Sequence, residues 1–68
     1  MLINTKPEFE HEVYNSLKNQ SKILEIKPLY QEYDMIAKIR IEKKEDIGFY
    51  ISNKIRSLDG VIHTKTIQ

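Results

Sequence analysis

Met35-Ile36-Ala37-Lys38-Ile39-Arg40-Ile41 alternates between two faces from end to end. Successive strand side chains point to opposite sides, so Met35, Ala37, Ile39 and Ile41 are predicted to face a core and Ile36, Lys38 and Arg40 to face away. Ahead of this strand, the polar link Tyr30-Gln31-Glu32-Tyr33-Asp34 leads back to Ile23-Leu24-Glu25-Ile26-Lys27-Pro28-Leu29-Tyr30. That segment reads as a second strand with Leu24, Ile26 and Tyr30 on one face. Pro28 cannot donate to a ladder, which assigns the strand to a sheet edge. Behind the quoted stretch, Ile47, Ile51, Ile55 and Leu58 recur at helical spacing. Glu45 and Asp46 suit the positive end of that helix, and Lys54 and Arg56 its negative end. Gly48 costs about 1 kcal/mol there against alanine and reads as an indifferent surface position. Gly60 stops the helix, and Val61-Ile62-His63-Thr64-Lys65-Thr66-Ile67 is rich in β-branched residues and forms a last strand.

The first part of the chain repeats this plan. Met1-Leu2-Ile3-Asn4 is a short strand, and Phe9, Val13 and Leu17 mark a helix. Thr5 with Glu8 suggests a capping box, and Pro7 fits the first turn. Displacing the chain by 38 residues lays Ile3 on Ile41, Phe9 on Ile47, Val13 on Ile51, Leu17 on Ile55 and Ile23 on Val61. Two like βαβ units in the order βαββαβ predict a ferredoxin-like α+β fold. Right-handed crossovers then give a four-stranded antiparallel sheet in the order 4-1-3-2, with both helices on one face. All 68 residues are read as a single domain, 1–68.

So small a chain buries only about 60% of the surface its unfolded form exposes. The sheet face without helices is expected to carry Ile23, Leu29, Ile36 and either Ile62 or Ile67 among Lys27, Lys38 and Arg40. A mixed apolar and charged face of that kind predicts a homodimer, closed as a dimeric α+β barrel.

Composition narrows the chemistry. Cysteine is absent, which excludes disulfides and thiolate metal clusters. A net charge of +1 gives no field that implies nucleic acid. No apolar run approaches a membrane span and Met1-Leu2-Ile3 is too short for a signal segment, so a cytoplasmic protein is expected. No Gly-x-Ser-x-Gly elbow occurs, and His11 and His63 are the only histidines available as bases. Glu8, His11 and Glu12 share a helix face at a spacing that could hold a cation, but a hydrated acidic face is the favoured reading. Asn4-Thr5-Lys6-Pro7 lacks the glycines of a phosphate cradle, and the third strand has no stacking aromatics. The expectation is no catalysis, no metal, no cofactor and no direct nucleic-acid contact.

Three segments carry a family resemblance: Gln31-Glu32-Tyr33-Asp34-Met35-Ile36-Ala37-Lys38-Ile39, Lys54-Ile55-Arg56-Ser57-Leu58-Asp59-Gly60-Val61 and Thr64-Lys65-Thr66. With Leu2-Ile3-Asn4-Thr5 at the start, their order and spacing resemble the effector-binding (RAM) domain of the Lrp/AsnC family, without the helix-turn-helix of its full-length regulators. Gln31 stands where the family has a glycine. The resemblance implies dimers packed sheet against sheet, further association of dimers, and small effectors such as amino acids bound where dimers meet. It also implies a full-length regulator of the family as a partner. Carried over by position, the effector-binding residues are Gln31, Glu32, Tyr33, Asp34, Thr64 and Thr66. Backbone N–H groups of the link would take a carboxylate, and Asp34 or the threonine hydroxyls an ammonium. The same residues also suit plain turn and strand work. A link residue is expected to carry little of the core, so that Asp34→Ala would spare the fold. Three alternatives stay open, of which a nucleic-acid-binding module is the least favoured. An ACT-type amino-acid-binding domain shares the fold, with a glycine where this chain has Lys6-Pro7. A small dimeric α+β-barrel enzyme would need a pocket served by Tyr14, Tyr50 or His63.

Overall fold

In the computed structural model, which describes residues 1–67, strands β1 (Leu2–Thr5), β2 (Ile23–Pro28), β3 (Met35–Ile39) and β4 (Val61–Lys65) form one antiparallel sheet. Its order is β2-β3-β1-β4, the expected order read from the opposite edge. Pro28 lies on edge strand β2, where its missing N–H leaves no gap in the ladder. The first helix opens with a 3-10 turn, Pro7–Phe9, and continues as α1 (Glu10–Lys18). The second has three pieces: a 3-10 turn Lys44–Asp46, the α turn α2 (Ile47–Tyr50) and a π stretch Ile51–Ile55.

Both helices pack on one face of the sheet. Val13 and Leu17 of the first and Tyr50, Ile51 and Ile55 of the second join Met1, Ile3, Ile23, Met35 and Ala37 in a single buried cluster. This is the ferredoxin-like α+β fold. The helical stripes and the inward residues of β3 lie where the periodicity placed them, except that β3 ends at Ile39 and Ile41 packs against the core from the connection beyond. Gly48 has open space around its α-carbon, as an indifferent surface position should.

Three expectations are corrected. Thr5 is the last residue of β1, with its side chain buried, and it makes no cap to the first helix. A strand residue facing the core cannot reach back over a helix start. The second correction concerns β2, where Ile23 pairs with Ile39 but Glu25 pairs with Lys38. That bulge inserts one residue, which resets the alternation. Ile23 therefore belongs to the core rather than to the uncovered face, while Leu24 is 54% exposed and Tyr30, past the strand end, 89% exposed. Third, the internal repeat holds for the helices but not for the strands that precede them. Lys6 alone separates β1 from its helix, whereas residues 40–43 separate β3 from the next. The longer connection moves β3 out of register with β1.

Candidate functional site

Strand register builds the helix-free face. Leu2 pairs with Ile36 on one side and Lys65 on the other, Ile36 with Lys27, Lys38 with Glu25, and Asn4 with His63. Leu2 and Ile36 thus sit side by side on the two inner strands, half-buried, with exposed charges around them. Glu25 and Lys27 form an ion pair at 2.9 Å. The Lys27 ammonium, by hydrogen bond and by charge, holds the Glu25 carboxyl below its usual range, and Lys38 adds to the effect.

The link is anchored to β1 through Asp34. Leu29 N–H donates to the Asp34 carbonyl at 2.8 Å, which closes the link. Asp34 N–H donates to the Ile3 carbonyl at 3.0 Å and lies 3.2 Å from Asn4 Oδ1. In return Asp34 Oδ2 accepts Thr5 N–H at 2.8 Å. The half-buried Asp34 therefore takes over where the β1–β3 ladder ends, supplying the acceptor that the next strand residue would have given. Its side chain is not a bystander of the fold. Tyr33 stacks on His63 of β4, with ring centroids 6.1 Å apart and planes at 27°.

The six carried-over residues do not converge. Tyr33 and Asp34 of the link stand at one end of the sheet with Tyr33 against His63. Thr64 pairs with the buried Ile3 and so lies on the helix-covered side, and Gln31 and Glu32 are exposed. Thr66 lies past the other end of β4, in an open depression with Met1, Ile36 and Ile67. At roughly 3.3 Å per strand residue it is about 10 Å from His63. Sequence reasoning missed Asn4 and His63 as members of the link cluster. Their signal was their outward parity at the ends of β1 and β4 that meet the link.

Elsewhere, His11 Nε2 is 3.0 Å from Asn15 Nδ2 on α1. Among the described residues no group of three His, Cys, Asp or Glu side chains is placed to hold a metal ion. Tyr14 lines an open groove with Pro7, Pro28 and Met35, between α1 and the link. Tyr50 is buried with its hydroxyl donated to Gln20 Oε1, and burial pushes its pKa up. Tyr14, Tyr50 and His63 thus stand at three separate places. No helix among the described residues is long and apolar enough to cross a membrane.

Known structures match this fold closely. FFRP-DM1 superposes with a TM-score of 0.92 at 30% identity, over 97% of this chain and 88% of that one. The hypothetical protein PHS023 from Pyrococcus horikoshii gives 0.89 at 30% identity, over 97% of this chain and 80% of its own. TTHA0845 from Thermus thermophilus gives 0.90 at 23% identity, over 97% and 82%, a likeness of fold. No protein-family model and no curated protein matches the sequence. FFRP-DM1 is of the Lrp/AsnC type, and at that identity and coverage the chain belongs to the Lrp/AsnC family.

Proposed function

We propose that the chain is an effector-binding (RAM) module that assembles through its helix-free sheet face and responds to an amino acid. The observation that carries this is the Leu2–Ile36 pair at the centre of that face, an apolar spot ringed by Lys27, Lys38, Lys65 and Glu25. Two copies related by a two-fold axis would bury it against itself. The effector would lie where dimers meet, on Gln31, Glu32, Tyr33 and Asp34 of one chain with Thr64 and Thr66 of another. Thr66 is remote from the link within a chain, so the set closes only across chains. Asp34 has spent Oδ2 on Thr5, which leaves Oδ1 for an ammonium. Such a module acts without catalysis and without touching nucleic acid. Its output is assembly, passed on by contact with a full-length regulator of the same family. The likeness to FFRP-DM1 supports a regulatory role.

Calorimetry against a panel of amino acids tests the effector site. One of them should bind, and Tyr33→Ala and Thr64→Val should each weaken it about tenfold. An amino acid bound with unchanged affinity in both variants places the site elsewhere.

A further inference from the structure

At the sheet end opposite the link, an open groove of about 540 Å³ runs between the end of α1 and the second helix. Its floor is fixed by one amide. Tyr50 donates its hydroxyl to Gln20 Oε1, and Gln20 Nε2 donates to the Lys54 carbonyl at 2.9 Å. That carbonyl lies in the last turn of the second helix, where carbonyls lack a regular helical donor. Leu58 N–H, which an α-helix would direct to Lys54, turns to Ile55 at 3.1 Å. Gln20 thus ties α1 to the second helix and sets the groove walls before any ligand arrives.

The rest of the lining is chemically one-sided. Phe49 presents its ring at the groove, 72% exposed. Lys22 and Lys54 both line it, and neither is in an ion pair among the described residues. Asp46 is the one carboxylate among the lining residues. We propose that this groove binds a small aromatic carboxylate, with the ring on Phe49 and the carboxylate on the Lys22 and Lys54 ammonium groups. Ring-on-ring packing and charge-assisted hydrogen bonds are the interactions these side chains offer. The groove lies within one chain and at the far end from the link, so this site stands apart from the assembly reading above. Two sources share the chemistry, an aromatic acid and an aromatic amino acid, and Asp46 separates them because only the latter carries an ammonium to meet it.

Titration of the isotope-labelled chain with phenylacetate, and separately with phenylalanine, followed by amide NMR, tests the proposal. Saturable shifts are expected at Ser21, Phe49 and Lys54. Phe49→Ala and Lys54→Met, both at exposed positions, should keep the remaining spectrum and each weaken binding about tenfold. Tighter binding of phenylalanine assigns aromatic amino acids and a role for Asp46, and equal or tighter binding of phenylacetate assigns the acids. Absence of saturable shifts in the groove with both probes overturns the proposal, as does unchanged affinity in either variant.

Discussion

Gly60 has φ of +93°, and a Cβ built on it would run into the Cβ and ring of Phe9. Its carbonyl accepts Lys6 N–H at 2.8 Å, so this one residue turns the chain out of the second helix and starts the β1–β4 pairing. Gly60→Ala combines backbone strain with a clash and should cost more than about 1 kcal/mol in urea unfolding. Asp34→Ala should cost about 1–2 kcal/mol, because Thr5 N–H loses a charged acceptor in a half-buried place. Asp34→Asn, which keeps an acceptor, should lose less in the same measurement. Gly60 was legible in the sequence as a helix stop, though its contact with Phe9 was not. The strand-like role of Asp34 was hidden because a polar link reads as a link, and nothing local reveals that its carboxylate reaches a strand 29 residues back.

Among the elements, the second helix departs furthest from its pattern. Ile47, Ile51, Ile55 and Leu58 mark a uniform stripe in the sequence, whereas the helix passes through 3-10, α and π turns. A spacing of four residues fits an α turn and a slightly unwound one equally well, so apolar periodicity cannot distinguish them. Tyr50, three residues after Ile47, falls on the same stripe and is buried beside Ile51, a position that the fourfold count passed over. Its pKa is raised by desolvation, so the neutral phenol is favoured in the folded state. The stability that this contributes is fully present below the unfolded value of 10.0 and is lost as pH rises through the higher folded one. An alkaline absorbance titration should therefore show one of the four tyrosines ionising after the others. Simultaneous ionisation of all four would contradict this placement of Tyr50. Strand β2 teaches a related lesson. Its edge position followed from Pro28, but the strand stops at Pro28 rather than running on to Tyr30, and the bulge at Leu24 left no mark in the alternation and reversed the face of Ile23.

For the whole molecule, the fold was legible because helix stripes, strand alternation and order along the chain all agreed on one topology. The candidate site was legible only in part, since tertiary pairing rather than sequence position brings His63 to Tyr33 and parts Thr66 from both. The central claim is that Leu2 and Ile36 mark an assembly face. Ile36→Glu would set carboxylates against each other across a two-fold axis and force their desolvation. Light scattering of the purified chain beside this variant is the direct measurement. At least twice the 8.1 kDa chain mass is expected for the parent protein, and a monomer or an unfolded chain for Ile36→Glu. A parent protein that scatters as a single 8.1 kDa chain, or a variant that keeps the parent's assembled mass and stability, would contradict that claim.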